Sequence, residues 1–146
     1  PTAANFTITK NGDFITSNNM TITNNGTSSI DVIVQKFIDT NGNSGIKVQG
    51  EDEINKNTLS RSNISLNING NRGTAYLGSD NSKCGIYSDS NLNTLKEDGI
   101  LVSTVTGNSS NTLRLNGQAS KGSETIDNPI QDRFTLILKI KKSEKN

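Results

Sequence analysis

The chain has 146 residues, of which 15 are basic and 14 acidic, and it contains no histidine and no tryptophan. The formal net charge is +1, and the sequence has no basic stripe with interleaved aromatic residues, which is the pattern expected of a nucleic-acid-binding protein. The lack of histidine excludes Ser-His-Asp and Cys-His catalytic systems and histidine zinc sites, and the single cysteine excludes a disulfide framework. No apolar run is long enough to predict membrane insertion.

The hydrophobic content of 29% is low for a globular protein. The apolar residues nevertheless cluster in short alternating runs, which indicates one folded domain rather than a disordered chain. In chain order, the predicted strands are residues 5–10, 13–16, 20–23, 29–37, 46–48, 63–68, 74–77, 84–87, 99–105, 112–115 and 133–141. This spacing, without a long crossover helix, predicts an all-β fold: a single antiparallel β-sandwich of jelly-roll or Ig-like type.

At most one short helix is expected, near residues 90–97. Ser90 can cap it, and Leu92 and Leu95 lie three residues apart, as on one face of a helix. Residues 51–57 read as a charged connection. Asn116 followed by Gly117 predicts a turn after the strand at 112–115.

The last strand, residues 133–141, is the most densely apolar and β-prone run of the chain. One face carries four large apolar side chains, and these residues are predicted to form a core or acceptor strand: Phe134, Leu136, Leu138 and Ile140. We expect this strand to enter the core deeply and to leave it at its lysine-rich end. In the strand at 29–37, Phe37 falls out of the alternation, which predicts a bulge.

The densest acidic group, Glu51, Asp52 and Glu53, has the residue type used in glycoside hydrolysis. It lacks aromatic neighbours, since the only tyrosines are Tyr76 and Tyr87, and a solvated loop is the favoured interpretation. No catalytic residue is predicted. Cys84 is interpreted as a small, semi-buried residue rather than a nucleophile, because no base stands near it in the sequence to activate it.

A weak calcium candidate is formed by Asp39, Asn41 and Asn43, which have the alternate-oxygen spacing of a calcium loop. Ser44 stands where that loop needs glycine, and Gly50 stands where it needs a bidentate glutamate. An ordinary turn is therefore favoured, and no cofactor is predicted.

The N-terminal segment has two interpretations. Asn11 and Gly12 favour a type I′ hairpin, which would place Ile8 opposite Ile15 and Lys10 opposite Asp13. Alternatively, residues 2–10 leave their own domain and fill an open sheet edge in a neighbouring copy. The predicted donor strand then consists of Phe6, Thr7, Ile8 and Thr9, with the two apolar side chains entering the groove of the neighbour.

A family resemblance is carried by the two ends of the chain. The first part reads P-T-A-A-N-F-T-I-T-K-N-G-D-F and M-T-I-T-N-N-G-T-S-S-I-D-V-I-V, and the last strand reads F-T-L-I-L-K-I. These motifs resemble surface β-sandwich proteins of Gram-positive, especially clostridial, bacteria and the TasA/camelysin-type biofilm matrix proteins. The resemblance implies an exported fibre subunit that polymerises by donating an N-terminal strand. It supplies no catalytic residues, and the Trp-x-Leu motif of WxL wall-binding domains is absent from this sequence.

Together, these observations predict an N-terminal extended segment at 1–12, a β-sandwich domain at 13–142 and a polar tail at 143–146. A first residue other than methionine suggests processing of an exported chain. The expected function is a secreted or cell-surface, non-enzymatic subunit of a bacterial filament or matrix fibre. Its expected partners are copies of itself and cell-wall or matrix components. The alternative is a monomeric surface adhesin or carbohydrate-binding β-sandwich module.

Overall fold

Strands dominate the computed structural model, which describes residues 4–9, 12–16, 19–40, 45–56, 62–122 and 130–144. In chain order the strands are β1 (Phe6–Ile8), β2 (Phe14–Thr16), β3 (Met20–Asn24), β4 (Ile30–Asp39), β5 (Lys47–Val48), β6 (Asn63–Asn69), β7 (Thr74–Gly78), β8 (Gly85–Tyr87), β9 (Ile100–Val105), β10 (Ser109–Ala119) and β11 (Phe134–Lys142). One short α-helix, α1 (Glu51–Ile54), and one 3₁₀ turn (Asn81–Lys83) complete the described elements. The all-β sandwich class predicted from the sequence is confirmed.

The strands form three sheets. The largest has the order β3-β10-β6-β7-β8, and β5 joins it beside β6 through a two-residue parallel pair. The second has the order β11-β4-β9. The third is the hairpin β1-β2, which stands as a separate two-stranded sheet. All strand pairs other than β5-β6 are antiparallel.

The hydrophobic core lies between the six-stranded and the three-stranded sheet. Alternate side chains of the paired strands point into this space, as the period of two requires. The buried core residues are Val32, Val34, Phe37, Val48, Ile64, Leu66, Ile68, Ala75, Leu77, Ile86, Val102, Val105, Leu113 and Leu115. Both sheets contribute to this list, so neither would be stable without the other.

The two sheets are joined at one corner, where the chain crosses from β3 to β4 and from β9 to β10. The buried Asn24 side chain donates through Nδ2 to the carbonyl oxygens of Ser28 at 2.8 Å and Val105 at 3.0 Å. Its Oδ1 accepts the Gly26 N–H at 3.0 Å. One amide thus satisfies backbone groups of both crossings, which a purely apolar side chain could not do.

The bulge predicted in β4 is present. Ile137 pairs with Lys36 whereas Leu138 pairs with Val34, so Gln35 is the extra residue on β4. One extra residue reverses the alternation, and Phe37 therefore points into the core on the same side as Val34.

The turn predicted at Asn116 and Gly117 is wrong, because β10 continues through both residues to Ala119. Gly117 lies opposite Leu66 of β6. A Cβ atom on Gly117 would lie 2.5 Å from the Ser65 carbonyl oxygen and 2.6 Å from Cε2 of Phe14. Glycine is required here by close packing inside a strand, a role that the sequence pattern does not distinguish from a turn.

The helix predicted near residues 90–97 is also wrong, since the described short helix is α1 instead. The Asp89 carboxylate accepts the backbone N–H groups of Asn93 at 2.9 Å and Thr94 at 2.8 Å, which closes a turn. Leu92 has a positive φ of 57° and is buried, whereas Leu95 is 47% exposed. The two leucines therefore do not share a buried face.

Candidate assembly interface

Strand β11 lies at the edge of the three-stranded sheet, and among the described residues it pairs with β4 alone. Phe134, Leu136 and Leu138 point towards the core but are only half-buried, and Ile140 is 49% exposed. The expectation that this strand enters the core deeply is wrong: β4, bonded on both sides, occupies the centre of the sheet. The ring of Phe134 stacks on Phe37 with the ring centroids 5.1 Å apart.

The opposite edge of the same sheet, β9, is covered by the turn between β6 and β7. The Thr104 N–H donates to Asn71 Oδ1 at 2.9 Å, and the Thr104 carbonyl accepts from Asn71 Nδ2 at 3.0 Å. The Arg72 N–H donates to the Val102 carbonyl at 2.9 Å. These bonds satisfy polar groups of the β9 backbone, so the two edges of the sheet are not equivalent.

The exposed edge of β11 is protected along only part of its length. Lys139, Lys141 and Lys142 lie among its last four residues, and lysine on an edge strand disfavours pairing with another chain. The half before them carries Thr135 and Ile137 on its outer face and has no such protection. A strand edge of this kind is a template for backbone pairing.

The predicted donor residues lie on the hairpin β1-β2. Phe6 pairs with Thr16, Thr7 with Ile15, and Ile8 with Phe14. The predicted register, with Ile8 opposite Ile15, is wrong by one residue, and Lys10 of the second predicted pair lies outside the described residues.

This register has a physical cause in the packing of the aromatic rings. The slip places Phe14 on the same face as Phe6, where the two rings stack with centroids 5.3 Å apart, and it leaves Ile15 53% exposed. The Gly12 N–H donates to the Thr9 carbonyl, and the Thr9 N–H donates to the Asp13 carbonyl. Gly12 has a φ of +86°, which suits glycine at the end of a longer hairpin loop.

The hairpin is held to the sandwich by side chains rather than by a shared ladder. Phe6 and Ile8 are half-buried against the core, Thr7 is exposed, and the Asp13 N–H donates to Thr9 Oγ1 at 3.0 Å. A two-stranded hairpin is marginally stable by itself. The attachment of the hairpin therefore depends on its apolar side chains, which include Phe6, Ile8 and Phe14.

A second unpaired edge lies on β10. Residues 109–113 of β10 pair with β3, and residues 114–119 pair with β6 on the other side of the strand. Strand β2 lies beside the remaining edge without forming a described ladder with it, and residues near both strands line a cleft of about 440 Å³. The cleft is lined by Gly12, Asp13, Phe14, Gly117, Gln118, Ala119 and Lys121.

The other candidates from the sequence are not gathered into one site. Glu51, Asp52 and Glu53 form α1, where Glu53 pairs with Lys56 at 3.2 Å on the protein surface. Within the described ranges, no three histidine, cysteine, aspartate or glutamate side chains are arranged to hold a metal ion.

Two further candidates concern Cys84 and the calcium loop. The sequence predicts a semi-buried Cys84, and this prediction is wrong, because the side chain is exposed. Asn41 and Asn43 of the calcium candidate lie outside the described residues, and Asp39 ends β4.

Two ionisable groups near the end of β8 have shifted pKa values. The Thr94 N–H, followed by those of Asn93 and Asn91, holds the pKa of Asp89 below its ordinary value of 3.8, against a smaller opposing effect of desolvation. Burial raises the pKa of Tyr87 above 10.0, with smaller contributions from Cys84 and Asp89. Neither shift makes a group suited to acid–base chemistry at neutral pH.

The fold and these edges define the chain as an all-β sandwich protein with an exposed edge strand and an N-terminal hairpin that forms a separate sheet. Comparison with protein families, with curated protein sequences and with solved structures finds no match. No helix in the described ranges has the length and apolar character needed to span a membrane.

Proposed function

We propose that this protein is a structural, non-enzymatic subunit of an extracellular bacterial filament or matrix fibre. The subunits assemble head-to-tail, with β1 of one copy pairing to β11 of the next. One observation carries the proposal: β1 has three paired positions in its own chain, whereas β11 is nine residues long and is bonded on one side only within the described residues.

The free energy of this exchange depends on what is lost and what is regained. Detaching β1 loses three positions of ladder and exposes the half-buried Phe6 and Ile8. Full burial of such a side chain is worth about 1.5–3 kcal/mol, so detachment costs a few kcal/mol at most from these two residues. Pairing with β11 restores the same classes of interaction, and a longer ladder adds to them.

The apolar side chains of the two strands are compatible. Phe6 and Ile8 alternate with the exposed Thr7, and on β11 the half-buried Phe134 and Leu136 alternate with the exposed Thr135. When β1 pairs along the edge before the lysines, its two apolar side chains extend the partly covered inner face of β11. Burial of that face favours the docked register.

Donation from one end of the subunit to a strand at another place is a heterologous contact. Such contacts do not close on themselves unless the rotation between copies forms a ring, so they generate open filaments. The resemblance of the two ends of the chain to exported matrix proteins supports the extracellular location.

A reversible lock on the hairpin tests this proposal. Thr7 and Ile15 lie opposite each other and are both exposed, and opposed residues in an antiparallel pair are about 4.5–5.5 Å apart, within the range for a disulfide. The variant Thr7→Cys/Ile15→Cys is made together with Cys84→Ser, which removes the native thiol. Assembly is followed by light scattering and negative-stain microscopy.

We expect fibres from the reduced variant and from the unmodified chain, and monomers from the oxidised variant. Fibres of equal yield from the oxidised variant would contradict strand donation. A chain that stays monomeric under all conditions, including at high concentration, would contradict the fibre function itself and favour the monomeric surface module. Removal of residues 1–10 provides a second control, since the shortened chain should stay folded and should not assemble.

A further inference from the structure

The outer face of the six-stranded sheet carries an ordered set of polar side chains. The strand register places Asn116, Asn67 and Tyr76 side by side on β10, β6 and β7. A parallel row contains Arg114, Asn69 and Thr74 on the same three strands. We call these six residues the amide face. They come from three separate regions of the sequence, and only the register brings them together.

The amide face is partly accessible and partly fixed. Arg114 and Asn116 are exposed, and the other four side chains are half-buried. Asn69 donates through Nδ2 to Asn67 Oδ1 at 2.6 Å, and the Thr74 hydroxyl donates to Asn69 Oδ1. Bonds of this kind hold the amide groups in one orientation before any ligand arrives, which reduces the entropy cost of binding.

The charge of the face restricts the class of ligand. Arg114 is its one cation, and the described residues of the face include no carboxylate. One cation is too few for a polyanion such as a nucleic acid, which needs several phosphate contacts. Without a carboxylate, the face also lacks the ligands that a bound calcium ion prefers. Amides, a hydroxyl and a phenol ring suit a ligand that is uncharged and rich in hydroxyl groups.

We propose that the amide face binds a neutral polysaccharide. The ring of Tyr76 provides the apolar surface for a sugar ring, and the side chains of Asn67, Asn116 and Arg114 bind its hydroxyl groups. An aromatic ring supplies apolar contact area, and a small number of placed polar groups fixes the orientation of a ligand. The face lies on the opposite sheet from β11, so this proposal does not depend on strand donation.

The test is a depletion assay with insoluble cellulose and insoluble chitin as neutral polysaccharides and with polygalacturonate as an acidic one. The full chain is expected to bind at least one of the neutral polymers. Tyr76→Ala and Asn116→Ala should each weaken this binding about tenfold, the loss expected for one aromatic or hydrogen-bonding contact. Thr23→Val serves as the control and should bind normally, because Thr23 lies on β3 opposite Ser110, four residues along β10 from Arg114.

Asn116 is exposed, so its substitution is not expected to disturb the fold, and circular dichroism checks this for every variant. Absence of binding to both neutral polymers would overturn the proposal. Binding to polygalacturonate alone, or neutral binding that survives both substitutions, would overturn it as well. The oxidised hairpin lock should bind polysaccharide as the unmodified chain does, which keeps this result separate from the outcome for assembly.

Discussion

At the scale of single residues, polar side chains decide the path of several connections. Asp89 replaces the expected helix by a turn, because its carboxylate accepts backbone N–H groups that a helix would use otherwise. The Asn24 side chain likewise forms hydrogen bonds with backbone groups, at the corner between the two large sheets. In a chain rich in asparagine and aspartate, such local bonds compete with regular secondary structure.

The Asp89 turn predicts a pH dependence of stability. Since its pKa is held below 3.8 in the folded chain, the charged carboxylate stabilises the fold above pH 3.8, and this contribution is lost as the pH falls through the lower, folded-state pKa. Asp89→Asn should therefore lower the unfolding temperature at neutral pH. The difference from the unmodified chain should shrink as the pH is lowered below 3.8.

Thermal unfolding followed by circular dichroism at a series of pH values measures this difference. Asp98→Asn is a suitable comparison, because Asp98 is exposed and its side chain has no hydrogen bond within the part of the chain that the structure describes. A gap between Asp89→Asn and the unmodified chain that is independent of pH would contradict the assigned role.

At the scale of elements, strand β10 depends on Gly117 for its fit between β6 and the hairpin. The Gly117→Ala substitution places a Cβ atom against the Ser65 carbonyl oxygen and the Phe14 ring, both within 2.6 Å. Overpacking of this kind costs about 1–3 kcal/mol. We expect a loss of that size in the free energy of unfolding, measured by urea denaturation.

Gly73→Ala gives the matched control, since the nearest atom to its Cβ would be the Leu101 carbonyl oxygen at 3.3 Å. Its effect should be clearly smaller than that of Gly117→Ala. Equal effects of the two substitutions would show that backbone freedom of glycine, rather than packing, is what matters at residue 117.

At the scale of the whole molecule, the proposed assembly depends on unequal edges. The edge of β9 is closed by Asn71 and Arg72, and the edge of β11 is not closed by any described residue. In the proposed assembly, β1 of one copy pairs with β11 of the next, and such a head-to-tail contact extends into an open filament unless the rotation between copies closes a ring.

Ile8→Asp is expected to block this assembly. A charged side chain at residue 8 would enter the apolar groove beside β11, at a cost above the 1.4 kcal/mol that corresponds to about tenfold in affinity. Ile8 is half-buried against the core but is not one of its buried residues, so the monomer should stay folded with a lowered unfolding midpoint. Fibre yield after sedimentation, together with thermal unfolding, measures both effects.

Thr7→Asp is the paired control, because residue 7 lies on the exposed side of the same strand. It should still assemble. If both aspartate variants formed fibres in normal yield, β1 would not be the donor strand; if both failed equally, charge on the segment rather than docking of the apolar face would be responsible.

Much of this fold is readable from the sequence because it is local. The alternation of apolar and polar residues predicts each strand. The displaced Phe37 predicts the bulge in β4, and Gly12 predicts the hairpin. Phe6, Ile8 and Phe134 are identifiable in the same way, as apolar positions in strands near the two ends of the sequence. Their roles in assembly remain predictions.

The features that only the tertiary structure decides are those that depend on distant parts of the chain. Strand order and register set these features. They decide that β11 lies at an edge, that Gly117 lies within a strand, and which asparagines lie beside Tyr76. The alternation of apolar and polar residues predicts whether a side chain faces the core or the solvent, but it does not predict which strand lies next to it. A shift of one residue exchanges the two faces of a strand, so these properties have no local signature in the sequence.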